Sequence, residues 1–164
     1  MINFYDSNER KLAEQSSDLS SPRHEPLNPY QHFRHRLGEE ILRSRRQDHP
    51  FTVMRIVVGS VDEHVSPQAQ VESALRSSIR GYDVLYTMQP GEFAIVFPET
   101  PGRVAHKIAD RIRNNVNGQG RWTGPILIQT SIGVACFPED GTNTEALLQT
   151  AEQSLNQDRK NLVR

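Results

Sequence analysis

Apolar residues recur at Phe33, Leu37 and Ile41, every fourth position, and polar residues fill most of the gaps. That period lays one apolar stripe along a helix. FTVMRIVV (51–58) follows, dense in β-branched residues, and reads as a buried strand. Val71, Ala74, Leu75 and Ile79 give a second helical stripe that ends near Gly81. DVLYTM and EFAIVF are two short strands joined by QPG, a tight hairpin signal. Pro101 and Gly102 open a third helix with Val104, Ile108, Ile112 and Val116 on one face. The turn-rich NGQGRWTGP precedes a long strand, ILIQTSIGVACF. PEDGTN is a turn, and Asn143 or Thr144 can cap a last helix carrying Leu147, Leu148, Ala151 and Leu155.

Helix, strand, helix, hairpin, helix, strand, helix predicts an α+β sandwich: a mixed central sheet with a hairpin, flanked by helices. The first residues fit no such period. QSSDLSSPRHEPLNP is rich in Ser, Pro and charge, so a disordered N-terminal tail is expected over 1–28 and one domain over 29–164. The tail reads as an unstructured leader or as a partner-binding arm.

Composition changes this picture only slightly. A hydrophobic fraction of 35 % is low for a whole domain, and a polar tail diluting an ordinary one accounts for it. The 19 basic and 20 acidic residues leave a net charge of −1, with no global pull toward nucleic acid or membrane. No apolar run is long enough to span a bilayer, and MINFYDSNERK lacks the order of a signal peptide, so a cytoplasmic location is expected. Cys136 lies in an apolar run and reads as a small core residue. The first helix carries Arg34, Arg36, Arg43, Arg45 and Arg46, either a basic docking surface or a solvated face. His32 and His35 on the same helix do not by themselves make a metal site.

The segment RGYDVLYTMQPGEFAIVFPETPGRVAHKIADRIR has a more specific order. Arg80 and Asp83 are followed after five residues by QPGEF (89–93), and DRIR (110–113) lies further on. TSIGVACFPEDGTNTEALLQTAEQSL comes next. From about Phe33 to Lys160 this ordered set resembles the GGDEF family of diguanylate cyclases, which condense two GTP molecules into cyclic di-GMP. Arg80 and Asp83 fall on the family's RxxD, QPGEF on its name motif, DRIR on its next helix, and TSIGVA on its last strand.

The resemblance implies a nucleotide-cyclase-like, polymerase-palm-like fold, and also a loss. Phosphoryl transfer needs metal ions to hold the triphosphate and neutralise developing charge. The family draws its ligands from acids on the first strand and from the third residue of the name motif. Here those positions are Val57, Val58 and Gly59, and Gly91. The two leading glycines are Gln89 and Pro90; proline removes an N–H that could face phosphate. Glu92 remains, and one carboxylate does not build a two-metal site. The family's base-binding segment finds no match in SVDEHVSPQAQ, where Asp62 and His64 read as loop residues. A family phosphate-contacting lysine falls on Arg159, beside Lys160. The expectation is therefore no catalytic residue, no metal and no cofactor.

In active members RxxD is an inhibitory site for cyclic di-GMP, and spacing adds Arg111 as a second arginine. Arginine can fork onto guanine O6 and N7, and aspartate can accept from N1 and N2 hydrogens. Tyr82 or Trp122 could stack on a base. A local surface ion pair explains Arg80 and Asp83 equally simply. The chain is thus expected to be an inactive regulatory module, binding cyclic di-GMP at Arg80, Asp83 and Arg111. The alternative is a protein-interaction or dimerisation scaffold without a nucleotide ligand; a working cyclase is the least supported.

Overall fold

The computed structural model describes residues 27–60, 67–118 and 127–162. Residues 1–26 of the expected tail, and the segments holding Asp62, His64 and Trp122, lie outside the described residues.

Helix α1 (Pro29–Gln47) begins where Asn28 accepts the Gln31 N–H at 2.9 Å and Gln31 returns a contact to the Asn28 N–H at 3.0 Å. That reciprocal cap satisfies two of the donors that a helix start leaves open, and Pro29 needs none. Strand β1 (Phe51–Ser60) follows, two residues longer than its apolar run, then α2 (Gln68–Ser78). The second helix stops three residues before Gly81 because Ile79 is already extended. Strands β2 (Val84–Gln89) and β3 (Glu92–Phe97) form the hairpin. Helix α3 (Gly102–Asn117), strand β4 (Ile128–Phe137) and helix α4 (Thr144–Leu162) complete the order, with Asn143 accepting the Ala146 N–H at 2.8 Å.

The four strands lie in the order β2-β3-β1-β4. The α+β class stands, but all three pairings are antiparallel, where a mixed sheet was expected. The reason is topological. The crossovers β1–α2–β2 and β3–α3–β4 each return the chain in the same direction, yet each lands one strand away. Strand β3 separates β1 from β2, and β1 separates β3 from β4. This is the split βαβ arrangement.

Alternate residues of β1 face opposite layers. Met54 and Ile56 pack with Val71, Leu75, Ile108 and Ile112 under α2 and α3. Phe51 and Val53 pack with Phe33, Leu37, Leu147 and Ala151 under α1 and α4. Phe51 stacks on Phe137 at 5.2 Å between centroids. Burying a side chain of that size contributes about 1.5–3 kcal/mol. Gly133 decides how closely α4 sits: a Cβ there would collide with the Ala151 carbonyl and lie 2.6 Å from the Leu155 N. Cys136 is buried, as its run predicts, and burial pushes its thiol up.

The arginines of α1 do not form a free basic face. Arg34 pairs with Glu145, Arg45 donates to the Thr142 carbonyl at 2.6 Å, and Arg43 reaches Glu99 at 3.1 Å. The first two tie α1 to the start of α4. None of the described helices is long and apolar enough to cross a membrane.

Candidate functional site

The sheet separates the sequence-predicted positions into two groups, one at each end of β2. Five steps along a strand span about 17 Å.

At the N-terminal end of β2, the chain turns through Arg80, Gly81, Tyr82 and Asp83. The Asp83 N–H donates to the Arg80 carbonyl at 3.1 Å, and the Arg80 N–H donates to Asp83 Oδ2 at 2.7 Å. So Asp83 closes its own turn, as short acidic side chains do. Its other oxygen, Oδ1, is buried with no donor. Burial pushes the Asp83 carboxyl above the usual range, while the Arg80 N–H and the charges of Arg80 and Arg111 pull it down. The three residues therefore share one electrostatic neighbourhood.

Arg111 arrives there from α3. Its Nη2 donates to the Ser78 carbonyl at 2.7 Å, and Asn115, one turn along, donates to Ser78 Oγ at 2.7 Å. Both hold the last residue of α2, just before the turn. Arg80 Nη1 donates to the Tyr82 hydroxyl at 2.7 Å, and Tyr82 is 58 % exposed. Sequence spacing picked out Arg80, Asp83 and Arg111. It gave no sign of Ser78 or Asn115, whose partners come from another helix.

At the other end stands the hairpin tip. Gln89 and Pro90 are exposed. Gly91 has φ 77°, and a Cβ there would lie 2.7 Å from the Val58 carbonyl oxygen. Its N–H donates to Gln68 Oε1 at 2.9 Å, so the first residue of α2 reaches over and occupies that amide. Gln68 is a second residue that spacing did not flag. Val57 lies opposite Glu92 and Ser131 in the sheet, and Gly59 opposite Gln129. The Glu92 carboxylate sits 3.8 Å from Arg55, which also approaches Glu152 at 3.7 Å. Among the described residues, no three His, Cys, Asp or Glu side chains converge as a metal-holding group. Arg159 and Lys160 are exposed in the last turn of α4.

A groove of about 360 Å³ runs along the β4 edge between α3 and α4. His106 and Asp110 rim it from the exposed side of α3. Nη2 of Arg113, the last residue of DRIR, donates to both carboxylate oxygens of Asp158, at 2.9 and 3.0 Å. Asp158 Oδ2 in turn accepts the Ile132 N–H at 2.8 Å, and Ser154 accepts the Val134 N–H at 3.0 Å. These side chains cover the outward amides of an edge strand.

Comparison with known proteins agrees with this architecture. The family model described as "Diguanylate cyclase, GGDEF domain" matches residues 69–162. A curated relative, the cyclic di-GMP phosphodiesterase NbdA of Pseudomonas aeruginosa, is 31 % identical over 88 residues, 53 % of this chain. The chain spans only 11 % of that relative's length. Among solved structures, the GGDEF domain of YfiN (TpbB) from P. aeruginosa superposes with a TM-score of 0.68 at 22 % identity, over 78 % of this chain and 88 % of that one. The active GGEEF domain of a diguanylate cyclase from Vibrio cholerae gives 0.68 at 15 % identity, over 77 % and 87 %. The diguanylate cyclase SiaD of P. aeruginosa, solved with its activator SiaC, gives 0.67 at 18 % identity, over 94 % and 63 %. Likenesses at such identities establish the fold, and the family match covers more than half of the chain. On these grounds the chain belongs to the GGDEF domain family.

Proposed function

We propose that this chain is a catalytically inactive GGDEF module of cyclic di-GMP signalling, which binds cyclic di-GMP at Arg80, Asp83 and Arg111. One observation carries the reading: Asp83 keeps a buried carboxylate oxygen without a donor, close to two arginines. A desolvated acceptor without a partner is a standing cost to the fold. Guanine N1–H and N2–H would supply the missing donors, and an arginine fork would hold O6 and N7. Ligand entry moves the exposed Arg80 side chain off the Tyr82 hydroxyl. The relative named as a cyclic di-GMP phosphodiesterase supports the signalling context.

The inactive half of the reading rests on the hairpin end. Val57, Gly59 and Gly91 offer no side-chain oxygen, and Glu92 is drawn toward Arg55, so these residues do not fit a divalent cation. Gln68 already fills the Gly91 amide that could have faced a phosphate.

Isothermal titration of cyclic di-GMP into the folded wild type and Arg80→Ala tests the binding half. Heat from the wild type and none from the variant is expected; a silent, folded wild type overturns it. Incubation with GTP and Mg²⁺ tests the other half, and product above a protein-free blank overturns it.

A scaffold without a nucleotide ligand has its own support. Arg111 is already engaged by Ser78 and Arg80 by Tyr82, and the neighbour SiaD is seen with a protein activator. On that reading the titration gives no heat, and capture of a partner survives loss of both Arg80 and Arg111.

A further inference from the structure

The sheet has two edges, and they are finished differently. On β4 the amides of Ile132, Val134 and Cys136 turn outward. Asp158, Ser154 and Asp140 accept them at 2.8, 3.0 and 2.8 Å. A strand arriving at that edge finds its donors already taken.

The other edge is β2, and its outward groups follow from one hydrogen bond. The Val58 N–H donates to the Gly91 carbonyl, and Val57 lies opposite Glu92. In an antiparallel ladder that makes Val57 and Glu92 a non-hydrogen-bonded pair, so Phe93, Ile95 and Phe97 bond to β1. Ala94 and Val96 then turn their backbone groups toward β2, where they lie opposite Tyr86 and Val84. The N–H and C=O groups of Leu85 and Thr87 therefore point away from the sheet. Among the described residues, nothing caps these two amides. Nor does β2 carry the usual deterrents to pairing. VLYTMQ holds no charge and no proline, and its one register shift comes after Thr87.

The surroundings say which strand fits. Tyr86 lies between the two open positions and under α1, its ring 5.6 Å from that of Phe33. Arg36 and Glu39 of α1 both act on the Tyr86 hydroxyl through their charges, so they stand beside this edge. They are 3.7 Å apart, and Glu39 is about half exposed. A two-fold axis through Tyr86 sets Leu85 of one copy opposite Thr87 of the other, twice, for four backbone hydrogen bonds. The same axis brings Arg36 of each copy toward Glu39 of the other. The edge is thus complementary to itself in hydrogen bonding and in charge. A strand of another sequence gains the backbone bonds without the paired charges.

We propose that β2 is a self-association edge, through which two copies of this chain join their four-stranded sheets into one continuous antiparallel sheet. Cyclic di-GMP takes no part in this pairing, so it does not rest on the proposed function.

The test is sedimentation velocity with residue-resolved hydrogen exchange, on the full chain without nucleotide, at low and high protein concentration. The expected result is a dimer that forms as concentration rises, with exchange at the Leu85 and Thr87 amides slowing in step. Thr87→Pro removes an outward donor where an edge strand tolerates proline, and should weaken the dimer about tenfold or more. Glu39→Lys leaves every backbone bond in place but sets like charges together across the axis. It should also weaken the dimer, more so at low salt. Because Glu39 is exposed, its variant keeps the monomer fold and decides the matter if the proline does not. A chain that stays monomeric at both concentrations overturns the proposal. So does a dimer whose Leu85 and Thr87 amides stay open, or one that the folded variants leave intact. Slow exchange of both amides in the monomer also overturns it, because the edge is then covered by the chain's own residues.

Discussion

The Gly91 carbonyl accepts the Val58 N–H at 2.8 Å, and the Val58 carbonyl occupies the space where a side chain on residue 91 would begin. An acid at this hairpin position is therefore opposed twice, by the positive φ and by backbone that cannot swing aside. Gly91→Ala should lower stability by about 1–2 kcal/mol, read as a shift in the urea midpoint at unchanged slope. Val57→Asp with Gly91→Asp should restore no cyclase product from GTP and Mg²⁺, because the hairpin has to shift before the second acid fits.

Asp83 makes an opposite prediction. Burial raises its carboxyl pKa, so the folded state disfavours the ionised form. The sign follows: above the carboxylate range the folded protein carries the cost of an ionised Asp83, and the cost is relieved as pH falls through the raised value. Asp83→Asn, which can still accept the Arg80 N–H, should raise the Tm at pH 7, and the gain should shrink as the pH is lowered toward 4. The same variant should lose cyclic di-GMP binding. A Tm at pH 7 below that of the wild type would count against a carboxylate kept for a ligand.

Arg113 links α3, α4 and the β4 edge through Asp158. Replacing it with alanine leaves Asp158 half-satisfied and should cost about 1.5–3 kcal/mol in chemical denaturation. Hydrogen exchange at the Ile132 amide should rise in the same variant while exchange in the centre of β1 holds.

Gly133→Ala should be the most damaging of these changes, at about 3 kcal/mol or more. Its Cβ meets the backbone of α4 at Ala151 and Leu155, where no rotamer change can help. Near-UV circular dichroism and thermal melting would register the loosened helix.

Where a pattern repeats locally, the sequence carried the fold well. Ile108, Ile112 and Val116 stand on the buried side of α3, and the strand run around Val53 and Ile56 is buried on both faces. The strand directions were not legible, because nothing in β1 or β4 states which strand will come between others. The partners of the α1 arginines were hidden for a similar reason: Arg34 and Arg45 meet Glu145 and Thr142 from the far end of the chain. At the candidate site, spacing singled out Arg80, Asp83 and Arg111; the first two hydrogen-bond each other, and Arg111 acts on Asp83 through its charge while its side chain holds the Ser78 carbonyl. Gln68 on the Gly91 amide, Ser78 under Arg111, and Glu99 beside Arg43 were invisible, since each contact joins separate elements.

The central place of β1 sets a schedule for the newborn chain. Thr52 hydrogen-bonds Cys136 across the β1–β4 pairing, 84 residues downstream. At about 5–20 residues per second, a ribosome takes roughly 4–17 s to make that stretch. Until β4 emerges, β1 can satisfy only the edge it shares with β3, and the layer beneath α4 stays open to solvent. Cells that shorten this interval, or shield β1 during it, should recover more folded protein from the same message.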